Sequence, residues 1–240
     1  MERIDDLQYK GLKIIQNTEG FCFGVDSVLL TEFAKDIKKG SKIVDLGTGT
    51  GILGILLCKK VEPKTVIGIE KQKEVADMAK RSISLNGLDS IFKIVNSDIN
   101  DIELTPNYYD VIITNPPYKK AGSGIDSKRE MQHISRYETT ANLDEWIKTS
   151  SKLLNSKGSF YMVYRTDRLA ELFEKMRKYK LEPKKIRLVY SKVTEQSNLI
   201  LVKAIKDGNT FLTVEKPLII YNEDGTYSNE IKEIYKKNNK

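Results

Sequence analysis

The chain has 240 residues, 40% of them hydrophobic, which is enough for one ordinary domain with a buried core and too apolar for a disordered segment. Its net charge of +7 and pI near 9.1 match a polyanionic partner such as a nucleic acid. No signal run opens the chain, no stretch nears the ~18 apolar residues of a membrane span, and Cys22 and Cys58 form no CxxC or Cys/His set, so a cytoplasmic protein without membrane segment, disulfide or metal site is expected.

In chain order, Leu12–Gln16 and Phe21–Phe23 read as two short strands joined by a turn at Asn17–Gly20. A helix follows, with Asp26 or Ser27 as its cap, Leu30, Phe33, Ala34 and Ile37 on one face, and Gly40 at its end. From there strands and helices alternate. Strands are expected over Lys42–Leu46, Val66–Glu70, Phe92–Val95, Asp110–Thr114 and Ser159–Val163. The helices between them are expected over Ile52–Lys60, about Lys73–Asn86, and from Leu143 to Leu154, where Asn142 and Glu145 form a reciprocal cap. A further helix carries Leu169, Leu172, Phe173 and Met176 on one face, and the strands Lys185–Tyr190 and Leu199–Ala204 then follow each other as a hairpin. The pattern predicts an α/β fold with a seven-stranded, mostly parallel sheet, one antiparallel strand and helices on both faces. Residues 119–136 form a long polar loop, and the end of the chain reads as a short strand (Leu218–Tyr221), a turn at Glu223–Gly225 and a charged helix from Ser228. Trp146, Phe160 and Phe173 fall in apolar periodicity and read as core, while the single histidine, His133, reads as a structural loop residue.

Four stretches carry chemistry. Asp45-Leu46-Gly47-Thr48-Gly49-Thr50-Gly51 ends a strand and opens a helix, and its alternate glycines let a ligand lie against bare main chain. The spacing is GxGxG, not the GxGxxG of a dinucleotide site, and Asp45 favours a cationic ligand over a pyrophosphate. Glu70, at the end of the next strand, places a carboxylate where a ribose diol would donate to it, and Asp98 follows the third strand, where an adenine amino group would be met. Asn115-Pro116-Pro117-Tyr118, at the end of the fourth, forms a rigid shelf with one amide and one aromatic face. The Asn115 side-chain oxygen and the Pro116 carbonyl would accept the two hydrogens of a planar amine, Pro117 would stiffen the shelf, and Tyr118 would stack on the base. Lys119, Lys120, Lys128, Arg129 and Arg136 in the long loop, with Lys184, Lys185 and Arg187 near the last strands, are candidate phosphate contacts.

Taken together, the glycine-rich turn, Glu70, Asp98 and Asn115–Tyr118 resemble the class I S-adenosylmethionine-dependent methyltransferases, in the branch that methylates planar nitrogens. Phe23-Gly24-Val25-Asp26-Ser27-Val28-Leu29-Leu30, Arg136 and Glu138, and Pro217–Tyr221 with Gly225–Ser228 are similar to the bacterial tRNA (adenine-N6)-methyltransferases that modify adenine 37 of a valine tRNA. Where that family has an Arg-His-Glu-like run, this chain has Arg136-Tyr137-Glu138. The resemblance implies a monomeric enzyme with a Rossmann-like core at 41–206, an N-terminal hairpin and helix at 1–40 covering the cofactor site, and a C-terminal extension at 207–240. It implies S-adenosyl-L-methionine as cofactor, held by Phe23, Asp26, Asp45, Gly47, Thr48, Gly49, Gly51, Glu70, Lys71, Asp98 and Asn115, with tRNA as partner and catalysis on residues 115–118. The same amine chemistry leaves methylation of a protein glutamine, of guanine N2 in ribosomal RNA, or of DNA as alternatives. An RNA-binding module that had lost catalysis would be expected to lack Asp45 or Asn115, and both are present.

Overall fold

The computed structural model describes residues 1–17, 24–117 and 142–237. Its first element is a hairpin in which β1 (Glu2–Asp6) pairs antiparallel with β2 (Lys13–Asn17), from Glu2 opposite Asn17 to Asp6 opposite Lys13. β2 is the strand expected near Leu12–Gln16, but the partner it has here precedes it. Ile4 is the sole apolar residue of β1, so no alternation of apolar and polar residues marks that strand in the sequence. The other expected strand, Phe21–Phe23, lies outside the described residues, and so does Cys22.

α1 (Val25–Phe33) starts earlier and ends earlier than the sequence implies. Gly24 is the residue before its first turn, no side chain caps that end, and Asp26 and Ser27 lie inside the helix. Leu30, Phe33, Ala34 and Ile37 still face the core, because the chain continues in turns after Phe33.

The main sheet contains β3 (Lys42–Leu46), β4 (Thr65–Glu70), β5 (Phe92–Asn96), β6 (Tyr109–Thr114), β7 (Leu154–Arg165), β8 (Leu181–Tyr190) and β9 (Ser197–Lys206). Across the sheet the order is β5-β4-β3-β6-β7-β9-β8, and only β9 runs antiparallel to its neighbours. These are the seven expected strands. Two more of two residues each, β10 (Thr213–Val214) and β11 (Leu218–Ile219), extend the outer edge beside β8.

Strand side chains alternate between two cores, as the pleat requires. Ile43, Val111, Ile113, Tyr161 and Val163 face one core with α1, α2 (Ile52–Lys60), α3 (Lys73–Leu85) and α6 (Asn229–Lys237). Val44, Ile112, Phe160 and Met162 face the other with α4 (Leu143–Leu153) and α5 (Leu169–Lys178). α2 is buried from Ile52 to Cys58, in line with its near-continuous apolar sequence. Trp146 and Phe160 are core residues, and Phe173 packs half-buried against the same core. α4 begins with the reciprocal cap expected of Asn142 and Glu145: the Glu145 N–H donates to Asn142 Oδ1 at 3.1 Å and the Asn142 N–H donates to Glu145 Oε2 at 2.7 Å.

The N-terminal hairpin docks on α3. The Ile15 N–H donates to the buried Ser82 hydroxyl at 2.9 Å, and the Asn86 amide exchanges hydrogen bonds with the Lys13 main chain at 2.9 and 2.6 Å. Arg81 grips both carboxylate oxygens of Glu2 at 2.7 Å. At the far edge, Ile231 and Ile234 of α6 join the same core as α1 and α2.

The chain builds β3, β4 and β5 outward in one direction, then returns to lay β6 on the other side of β3. The crevice outside the carboxyl ends of β3 and β6 is therefore a topological switch point, where open α/β sheets bind ligands.

Candidate active site

Asp45 points from β3 into the protein and is fully buried. Its Oδ2 accepts from Thr48 Oγ1 at 2.6 Å and from the Gly54 N–H at 3.3 Å, whereas Oδ1 is buried with no hydrogen-bond partner. Burial, reinforced by the charge of Glu70, pushes the carboxyl up to about 7 against the pull of those hydrogen bonds. An acceptor oxygen left unsatisfied inside a protein is costly, so the site fits a ligand that brings a donor or a positive charge.

The turn after β3 is shaped by its glycines at two points. Gly47 has φ +67°, and a Cβ there would lie 2.5 Å from Cη2 of Trp146, so the indole on α4 is seated directly on the turn. Gly49 has φ +57° with nothing near its Cβ position, which leaves bare main chain facing open space. Thr48 ties the turn to the neighbouring strand through its N–H, which donates to the Ile69 carbonyl at 2.9 Å.

Glu70 ends β4 and is buried. Its carboxylate accepts from the Gly49 N–H at 3.0 Å and the Gln72 N–H at 2.9 Å, and burial raises its pKa against those bonds. Lys71 reaches across to Asp98, with Nζ 2.8 Å from Oδ2, and that bond holds the Asp98 carboxyl below its ordinary range. The Asn96 amide donates to the Glu70 and Lys71 carbonyls at 2.8 and 2.9 Å. The ends of β3, β4 and β5 are thus laced into one acidic rim.

Asn115 follows β6, whose Thr114 pairs with Leu46 of β3 and donates its hydroxyl to the Leu46 carbonyl at 2.8 Å. The shelf and the glycine turn therefore leave adjacent strands, about 4.8 Å apart. Asn115 Nδ2 donates to Asp26 Oδ2 at 3.1 Å and to Ser27 Oγ at 3.3 Å, so the first turn of α1 is fastened to the shelf. Pro116 is buried and Pro117 exposed.

The structure brings Asp45, Gly47, Thr48, Gly49, Gly51, Glu70, Lys71, Asp98, Asn115 and Asp26 to this one end of the sheet. Phe23, Tyr118, Lys119, Lys120, Lys128, Arg129, His133 and Arg136 lie outside the described residues. Lys184, Lys185 and Arg187 do not join the group, because they stand on β8, three strands from β6. Lys184 donates to the Asn209 carbonyl at 2.9 Å, and Lys185 sits 3.6 Å from Glu215 and 3.9 Å from Asp36. Arg187 holds the Glu230 carboxylate at 2.7 Å and the Lys216 carbonyl at 2.9 Å. Two residues of the site went unassigned in the sequence: Ser27, which reads as a helix cap, and Trp146, which reads as core.

The model of the methyltransferase small domain family matches residues 24–184, from Gly24 through the shelf into β8. The chain belongs to that family. Among curated relatives, a Histophilus somni protein named tRNA1(Val) (adenine(37)-N6)-methyltransferase is 27% identical over 237 residues, covering 97% of this chain and 96% of its own length. A Porphyromonas gingivalis protein of the same name is 29% identical over 202 residues, covering 81% and 76%. Among solved structures, Atu636 from Agrobacterium tumefaciens, described as a predicted O-methyltransferase, superimposes with a TM-score of 0.70 at 22% identity, covering 89% of this chain and 96% of that one. TYW2 from M. jannaschii in complex with AdoMet gives 0.59 at 18% identity, covering 85% of each. At these identities the solved structures establish the fold, which is the Rossmann-like methyltransferase fold expected from the sequence.

Proposed function

We propose that this methyltransferase transfers a methyl group from S-adenosyl-L-methionine to the exocyclic N6 of an adenine in tRNA, at adenine 37 of a valine tRNA. The reading is carried by one observation: the amide-and-proline shelf at Asn115–Pro117 and the acid-backed glycine turn after Asp45 leave paired neighbouring strands at the switch point. The names of relatives that match nearly the full length of the chain support the same substrate.

When bound, the cofactor supplies an electrophilic methyl group on a sulfonium. The residues present fit it. The unfilled Asp45 Oδ1 would take a donor or cationic group, the bare main chain at Gly49 would allow close approach, and Glu70, Lys71 and Asp98 would line the nucleoside side. An adenine amine is a poor nucleophile because its lone pair is delocalised into the ring. Asn115 Oδ1 and the Pro116 carbonyl would accept its two hydrogens and draw the lone pair onto nitrogen, Pro117 stiffens the shelf, and Tyr118 would stack on the base. The base must leave its stack to enter. No strong general base is required before attack: methyl transfer would leave a neutral thioether on the cofactor and an N-methylated cation on the base, and that cation is acidic and would lose its proton to solvent.

Incubation with isotopically labelled S-adenosylmethionine and total tRNA, followed by nucleoside mass analysis, tests the reading. N6-methyladenosine in a valine tRNA is expected. Label in a protein glutamine, or in N2-methylguanosine, overturns it.

A further inference from the structure

We propose that Asp26 is a positioning residue that sets the orientation of the Asn115 amide. The inference rests on reading Asn115 Oδ1 as an acceptor for the substrate amine, and it reassigns Asp26, which the family resemblance implies as a cofactor ligand. An asparagine amide has two faces of opposite character, and rotating it by half a turn exchanges a donor for an acceptor. Only its neighbours decide which way it stands. Here Nδ2 lies 3.1 Å from Asp26 Oδ2 and 3.3 Å from Ser27 Oγ. A serine hydroxyl accepts or donates and would tolerate either orientation. A carboxylate oxygen only accepts, so the reversed amide would press oxygen against oxygen. Asp26 therefore turns the Asn115 nitrogen toward α1 and its oxygen to the other side of the shelf, which is the orientation that amine recognition requires.

Two further details show that the carboxylate itself is held in place. Asp26 Oδ1 accepts the Ser27 N–H at 2.9 Å, which holds the side chain against the first turn of the helix. Beside it, a Cβ on Gly24 would stand 2.7 Å from Asp26 Oδ1. The Gly24 backbone, at φ −97° and ψ 175°, is open to any residue, so space and not conformation calls for glycine there. Gly24, Asp26 and Ser27 thus form a small clamp on a residue 89 positions away in sequence.

The test uses the full chain with Asp26→Asn and Gly24→Ala. The substituted amide in Asp26→Asn can donate or accept, so Asn115 should populate both orientations. Its side-chain 15N–H2 resonances, assigned with Asn115→Ala, should shift or broaden. Cofactor affinity by calorimetry should stay within about twofold, while single-turnover methyl transfer at saturating cofactor should fall by about tenfold or more. Gly24→Ala displaces the carboxylate without removing it and should give the same pattern, which keeps the test intact if Asp26→Asn does not fold. Unchanged Asn115 resonances overturn the proposal. So does lost cofactor affinity with the saturated rate preserved, which would make Asp26 a cofactor ligand. If the native enzyme methylates something other than adenine N6, the substrate reading fails, and the resonances still decide whether Asp26 orients Asn115.

Discussion

At the scale of single residues, the site sets an uncompensated acid against a fixed amide, and each makes a distinct prediction. Asn115→Ala should leave cofactor affinity near native and reduce methyl transfer by about a hundredfold or more, as when a preorganised group at a reacting centre is removed. Calorimetry and single-turnover assays separate the two effects. Asp45 makes a prediction about pH. Its folded carboxyl titrates near 7, above the ordinary value of 3.8, so between those values the folded chain keeps a proton that the unfolded chain has released. The stability gained from that proton is full below about pH 4 and is lost as pH rises through about 7, a change on the order of 4 kcal/mol. Glu70, also raised by burial, acts in the same direction. Urea unfolding of the cofactor-free protein should therefore show stability falling from pH 5 to pH 8, and Asp45→Asn should flatten the trend. Cofactor affinity should run the opposite way, because the ionised carboxylate is the better partner for a cationic group.

At the scale of elements, the alternating strands and helices were legible because β3, β4 and β6 are short apolar runs buried on both faces and a period near 3.6 survives in α3 and α4, and α4 even announces its cap through Asn142 and Glu145. What stayed hidden is what distant segments do to each other. β1 has almost no apolar signal and is recognisable only through its pairing with β2 and the Arg81 grip on Glu2. Asp26 and Ser27 look like a helix cap, yet the helix begins before them, and Asp26 bonds instead to Asn115 and to the Ser27 N–H. The docking of the hairpin gives a test. Ser82→Ala removes the hydroxyl that satisfies the Ile15 N–H in a buried setting, at an expected cost of about 1–3 kcal/mol. Hydrogen exchange should show the loss first in β1 and β2, while β3 and β6 keep native protection.

At the scale of the whole molecule, the net charge of +7 matches a polyanionic partner, but where the positive charge is available depends on folding. Lys185 and Arg187 look like a basic cluster in the sequence because their acidic partners, Glu215 and Glu230, come later in the chain. The C-terminal extension folds back along the edge of β8 and engages those charges. Arg187→Ala should accordingly cost about 1 kcal/mol of stability through its lost bonds to Glu230 and Lys216. RNA affinity should fall steeply with salt, and this variant should leave the slope of log affinity against log salt unchanged. Urea unfolding and filter binding over a salt series check both.

The contact between Trp146 and Gly47 has a practical consequence. Trp146 is the single tryptophan of the chain, and it rests on the turn where the cofactor is expected to bind. The protein therefore carries an intrinsic optical reporter: indole emission comes from one ring, and any rearrangement of that turn changes its surroundings. Occupancy of the site should be readable as a change in emission without an attached dye, in the native enzyme and in each variant that keeps Trp146.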